Sequence, residues 1–186
     1  MATPTIRRPV PLTYDDYLVM PDDGKRYELI EGELFLCPTP STRHQTVSRH
    51  LQFALMEALE KPGLAQIFDA PTDLVLNRTN VVQPDLIIIG AAKFHLITRR
   101  AIEGVPDVAV EILSPSSEDR DRFIKRKLFE RLQIPEYWVV DPEASSLTVY
   151  RFHEGSYGVR ATHGQDGVLD CPEFPTLELP LADVFR

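Results

Sequence analysis

Pro106-Asp107-Val108-Ala109-Val110-Glu111-Ile112-Leu113, read together with Gln83-Pro84-Asp85-Leu86-Ile87-Ile88-Ile89, decides how this chain folds. Each is a short, continuous apolar run rich in Val and Ile and bounded by Pro or Gly, the pattern of a central strand covered on both faces. Each also carries a carboxylate, Asp85 or Glu111, in a segment that otherwise reads as core. Stripping an ionised carboxylate of water without compensation is very costly, so an acid at such a place needs a partner. A metal ion would supply one.

The next segment brings in a cation. From about Ser117 to Leu132, Ile124, Leu128 and Leu132 recur at i, i+4 and i+8 with Phe129 alongside, which predicts an amphipathic helix. At roughly 100° per residue, Lys125 and Asp121 fall inside the apolar sector, whereas Arg122, Arg126, Lys127, Glu130 and Arg131 flank it or point away. Taken alone, Lys125 reads as a partner of Asp121 or as a side chain that snorkels out at the edge of the stripe. The strand carboxylates that precede it shift the reading towards a site made of Asp85, Glu111 and Lys125.

The order Gln83-Pro84-Asp85, Pro106 to Ser116, Arg120-Asp121 with Lys125, and Glu136-Tyr137-Trp138-Val139-Val140-Asp141-Pro142 closely resembles the Uma-two family of restriction endonucleases, within the PD-(D/E)XK nuclease superfamily. The likeness continues upstream in Tyr27 to Leu34 and Arg43-His44-Gln45, and downstream to the Leu-Glu-Leu-Pro-Leu end near Leu177. Five motifs in the right order are specific where one would be weak. The superfamily usually places its lysine two residues after the strand carboxylate, and here that position is Leu113. In the Uma-two pattern the following helix supplies the lysine, and Lys125 occupies the matching position. Phe129 stands where the family more often has Tyr, and Gln133-Ile134 where Gly-Val or Gly-Ile is common. The resemblance implies an α/β, restriction-endonuclease-like fold, a mixed sheet flanked by helices. It also implies an endonuclease that leaves a 5′-phosphate and a 3′-hydroxyl.

Length and composition agree with one domain spanning residues 1–186, large enough for a full core. No run of eighteen apolar residues exists, and the start Met1 to Arg8 lacks the apolar stretch of a signal peptide, so a cytoplasmic protein without a membrane span is expected. Cys37 and Cys171 are solitary, which indicates neither a disulfide framework nor a zinc site. The net charge of −8 is awkward for a nuclease, because affinity for nucleic acid comes from neutralising phosphates with Lys and Arg. Cations do gather at Arg99-Arg100 and from Arg120 to Arg131. That second cluster reads equally as a solvated helix face with its own acidic partners or as a DNA-contact surface.

Along the chain, Thr13 to Met20 predicts a short capped helix stopped by Pro21, and Arg26 to Ile30 with Glu33 to Cys37 a hairpin around Glu31-Gly32. Ser41 caps a helix running to about Glu60, with Val47, Leu51, Ala54, Leu55, Ala58 and Leu59 inward and Pro62-Gly63 at its end. Strands are expected at Ala65 to Asp69, Thr72 to Leu76, Asp85 to Ile89, Asp107 to Leu113 and Glu136 to Val140. A last hairpin joins Leu147 to Phe152 and Tyr157 to Thr162.

Magnesium takes oxygen ligands, usually one or two carboxylates with waters and substrate phosphates, and Asp85 and Glu111 suit it, with Mn²⁺ as a substitute. Lys125 would position the attacking water, help deprotonate it, or stabilise developing charge. Glu28 matches a family position and could be a further metal ligand or a surface hairpin acid, with Glu31 and Glu33 as rivals. His44 shares the inward face of its helix and reads as a hydrogen-bonded core histidine before a general base. Gln83 could share the face of Asp85 or cap the strand entrance. Ser114, Ser116 and Ser117 read as strand-end and N-cap groups, and Tyr137 and Trp138 as packing. The expected function is a Mg²⁺-dependent endonuclease on DNA, working as a homodimer because cutting both strands suits a symmetric pair. A non-catalytic relative that binds nucleic acid or protein, and a phosphodiesterase acting on RNA or another substrate, are the alternatives.

Overall fold

The computed structural model describes residues 10–115 and 117–186. Ser116 and the N-terminal stretch in which no signal peptide is expected lie outside the described residues. Helix α1 (Tyr14–Leu18), capped by Thr13, precedes a hairpin of β1 (Tyr27–Ile30) and β2 (Glu33–Leu36). Glu31 and Gly32 at its turn have φ of 53° and 79°, as a two-residue type I′ turn requires. Helix α2 (Thr42–Leu55) starts where Ser41 Oγ accepts from the His44 N–H at 3.2 Å, and it continues as a π-helical segment, Met56–Glu60. Strands β3 (Ala65–Asp69), β4 (Leu74–Asn77), β5 (Asn80–Val82) and β6 (Leu86–Gly90) follow. A 3₁₀ segment at Ala91–Leu96, β7 (Ile102–Glu103) and β8 (Val108–Ile112) come next. A π-helical segment at Arg120–Lys125 runs into α3 (Arg126–Arg131) and β9 (Glu136–Asp141). The hairpin β10 (Ser146–His153) and β11 (Ser156–Gly164), the pair β12 (Val168–Cys171) and β13 (Phe174–Pro180), and α4 (Ala182–Phe185) complete the order.

The central sheet has six strands in the order β11-β10-β9-β8-β6-β3, and β8 and β9, joined through α3, are parallel. Its other pairs are antiparallel. Alternation along each strand divides the core in two. Leu86, Ile88, Val108, Val110, Trp138 and Val140 pack with Val47, Leu51 and Leu55 of α2 and with the C-terminal pair β12-β13. Ile87, Ile89, Ala109, Leu113, Tyr137 and Val139 pack with Leu128 and Phe129 of α3 and with Ile30, Leu74 and Val82. Those last three belong to a second sheet, β2-β1-β5-β4-β7. Glu111 is in phase with Ala109 and Leu113, Asp85 with Ile87, and Glu28 with Ile30. All three acids therefore belong to the α3 face, at one end of that core.

Two sequence expectations differ from the structure. Ile124 was placed in the core stripe, yet it is 39% exposed and Phe123 is 55% exposed. The π-helical turn closes i→i+5 and inserts an extra residue, so the inward line runs through Asp121, Lys125, Leu128 and Phe129 instead. Strands β5, β7, β12 and β13 were not expected. The first two are too short to show a period, and β13 contains Pro175 and Pro180, which is tolerated because it pairs only with β12. Among the described residues, no helix is long and apolar enough to cross a membrane.

Candidate active site

Asp85 sits just before β6, one step beyond the Leu86–Val110 cross-strand pair, which sets it opposite Glu111 of β8. Its Oδ2 accepts from the Ile112 N–H at 2.7 Å and lies 3.1 Å from His44 Nε2. Pro84 before it has no N–H to satisfy, and the Gln83 N–H donates to Glu28 Oε1 at 2.8 Å. The short link between β5 and β6 is thus fixed at both ends, and it carries Asp85 from one sheet to the other.

Lys125 is 2% exposed, and its Nζ lies 2.6 Å from Glu111 Oε1 and 2.7 Å from Glu28 Oε1. Asp121 Oδ1, one turn back, is 3.8 Å away. Arg120 Nε lies 3.7 Å from Glu28 Oε2 and 3.8 Å from Asp121 Oδ1, while its Nη1 donates to the Leu36 carbonyl at 3.0 Å. Lys125 therefore points into the site, where it meets Glu111 and Glu28. Glu28, at 1% exposure, is buried rather than a surface hairpin acid, and Glu31 pairs outward with Arg131.

Burial and fields act differently on these groups. Burial pulls the Lys125 ammonium down, but Glu111, Glu28 and Asp121 outweigh it and hold the pKa above its ordinary value, so the lysine stays charged. Burial pushes Glu28 up, but Lys125 and Arg120, with hydrogen bonds from Lys125 and the Gln83 N–H, hold it below the usual range. Glu111 is pushed well up by burial, opposed by Lys125 and reinforced by Asp121, Asp85 and Glu28. Burial likewise raises Asp121. For His44, burial favours the neutral ring, but the hydrogen bond and charge of Asp85 prevail and raise its pKa. Two firmly charged cations thus face four clustered carboxylates, an arrangement with room for more positive charge.

These residues line a cleft of about 90 Å³ that also admits Arg26, Cys37 and Gln45. His44, expected from sequence as a hydrogen-bonded core histidine, is buried and hydrogen-bonded, and its partner is a site carboxylate. Its Nδ1 is buried without a partner among the described residues. Gln83 turns its amide to Asp73 Oδ1 at 2.9 Å instead of to Asp85. Ser114 and Ser117 contact each other through their hydroxyls at 3.0 Å. Tyr137 donates its hydroxyl to the Asp121 carbonyl at 2.9 Å, so this packing residue also anchors the π-helical turn. Arg120 belongs to one of the motifs that carry the family resemblance, but its contacts with Glu28 and Asp121 have no mark in local periodicity.

The profile of the Uma2 family, described as "Putative restriction endonuclease", matches residues 14–182. The chain belongs to this family. A solved structure described as a putative nuclease belonging to DUF820, from Anabaena variabilis, superposes with a TM-score of 0.76 at 21% identity, covering 94% of this chain and 98% of that one. The fold is restriction-endonuclease-like, as the mixed sheet flanked by helices indicates. No curated protein matches the sequence. The sequence raises the expectation of a divalent ion at Asp85 and Glu111. Among the described residues, no three His, Cys, Asp or Glu side chains form a metal cage. Magnesium needs no such cage, because it binds one or two carboxylates and keeps several waters. The all-oxygen pair of Asp85 and Glu111 fits that demand, with the buried Asp121 Oδ1 nearby, which accepts no hydrogen bond among the described residues and has only the more distant cations Lys125 and Arg120 beside it.

Proposed function

We propose that this protein is a divalent-metal-dependent endonuclease that hydrolyses phosphodiester bonds, with DNA as the substrate. The observation that carries the reading is a buried, charged Lys125 within 2.6 Å of Glu111, on the same face of the sheet as Asp85. Asp85 and Glu111 would hold Mg²⁺ or Mn²⁺, which when bound supplies an activated water and neutralises charge on the phosphate. Lys125, whose pKa Glu111, Glu28 and Asp121 hold above its ordinary value, would orient that water or stabilise charge developing on a phosphate oxygen. Glu28, occupied by Lys125, Arg120 and the Gln83 N–H, aligns the lysine and is a poorer metal ligand than its neighbours.

The test is incubation of the purified chain with plasmid DNA, single-stranded DNA and RNA, in Mg²⁺, in Mn²⁺ and in EDTA. Metal-dependent cleavage of DNA is the expected result, and cleavage of RNA alone would move the substrate class. Binding of nucleic acid with no cleavage under any condition would favour the non-catalytic alternative. Sedimentation with and without a duplex tests the homodimer that two-strand cutting favours.

His44 offers a separate check. Together with the Ile112 N–H it occupies Asp85 Oδ2, which leaves Oδ1 for a ligand. Replacing it with alanine should weaken Mn²⁺ binding about 10–100-fold, as loss of a group that orients a metal ligand commonly does. Isothermal titration measures this, and wild-type affinity in His44→Ala would show that the histidine only packs.

A further inference from the structure

Of the cations expected to meet DNA, Arg99, Arg100 and Lys127 have no carboxylate within 4.0 Å among the described residues, but none of the three lines the cleft, and others are spoken for. Arg122 pairs with Glu118 at 2.7 Å and Asp141 at 3.0 Å, Arg131 with Glu31, and Arg126 lies over the Tyr150 ring. Inside the cleft, Lys125 and Arg120 are held by Glu28, Glu111 and Asp121. Arg26 is the exception. It lines the cleft, and among the described residues no carboxylate lies within 4.0 Å of its guanidinium. Its backbone is fixed where β1 begins, its carbonyl accepting from the Cys37 N–H at 2.9 Å.

Arg26 also opens onto a second space. A trough of about 430 Å³ adjoins the cleft and shares Arg26, Cys37, Pro38 and Pro40 with it. The cleft is lined by several carboxylates, whereas among the described residues none lines the trough. Lys25 is its other cation, in an exposed pair with Asp23 at 3.5 Å that water largely screens. An anion is therefore repelled by the unmetallated cleft and received by the trough beside it.

We infer that Arg26 and this trough bind a phosphate flanking the one to be cut, so that the substrate is a nucleic-acid strand and not a small phosphodiester. The inference rests on the nuclease reading. The guanidinium fork matches two phosphate oxygens at once, and a polynucleotide threaded through the cleft must place a neighbouring phosphate on one side of it. A protein of net charge −8 gains most from an uncommitted cation at that point.

The experiment is fluorescence anisotropy of a labelled single-stranded and a duplex oligonucleotide in Ca²⁺, over a salt series, for wild type, Arg26→Ala and Arg26→Lys. Loss of one charge-assisted contact should weaken binding about tenfold in Arg26→Ala. It should also flatten the plot of log affinity against log salt by about one unit, the signature of one phosphate contact. Arg26→Lys should recover the slope and only part of the affinity, because a point charge replaces a fork. Because Arg26→Lys keeps the charge and the stem, it guards against a folding effect in the alanine variant. Unchanged affinity and slope in Arg26→Ala would overturn the inference, as would a wild type that binds neither oligonucleotide. Cleavage by wild type is scored separately, so a nuclease indifferent to Arg26 loses this subsite and keeps its activity.

Discussion

Replacing Lys125 by alanine should reduce cleavage by about a thousandfold, some 4 kcal/mol of transition-state stabilisation, while changing oligonucleotide affinity far less. A contact made chiefly in the transition state affects turnover more than ground-state binding. The same substitution should also cost stability, because Glu28 and Glu111 lose the ammonium between them. Removing one partner of a buried ion pair typically costs about 3–5 kcal/mol. Protonation can relieve Glu111, which burial already pushes up, but Glu28 depends on Lys125 and Arg120 for its low pKa. The double variant Lys125→Met with Glu28→Gln should therefore recover much of the stability and none of the cleavage. Urea denaturation and plasmid nicking at fixed salt measure the two effects. A folded Lys125→Ala that cuts at the wild-type rate would remove the lysine from the mechanism.

The parts of this site that were legible in sequence are those written within one element. Glu111 stands out because a single acid interrupts an apolar strand, and Asp85 because Pro84 marks where its strand begins. Lys125 was found by helical phase, although the π-helical turn makes its true neighbours Leu128 and Phe129 and turns Ile124 outward. What escaped depends on contacts between distant segments. The Gln83 N–H reaches Glu28 across 55 residues and His44 meets Asp85 across 41, and neither separation leaves a mark in local periodicity. The basic cluster shows the same limit. Its partners were sought within the helix, which holds for Arg122 and Glu118. Arg131, however, pairs with Glu31 on the hairpin, and Arg120 is drawn inward by Glu28. Sequence displays the charges, and only the fold decides which are neutralised.

Asp85→Asn and Glu111→Gln should each abolish the stabilisation that Mn²⁺ confers, without harming the metal-free protein. In Asp85→Asn the amide oxygen can still accept from the Ile112 N–H, so the link into β6 keeps its anchor. In Glu111→Gln the lysine retains Glu28 at 2.7 Å, and a carboxyl that burial pushes well above its ordinary value is removed from a crowded cluster. A group whose folded pKa is raised above its unfolded one lowers stability once the pH passes the unfolded value. At neutral pH this variant should accordingly melt at or above the wild-type temperature in EDTA. Metal reverses the order. Wild type gains about 2.7 kcal/mol when free Mn²⁺ is a hundred times the dissociation constant, whereas a variant lacking one of two carboxylate ligands gains little at the same concentration. Thermal melts in EDTA and in Mn²⁺, with calorimetric titration of each protein, supply both comparisons. If both variants bound Mn²⁺ as tightly as wild type, the ion would lie elsewhere, and the pairing of Asp85 with Glu111 would be a feature of the fold alone.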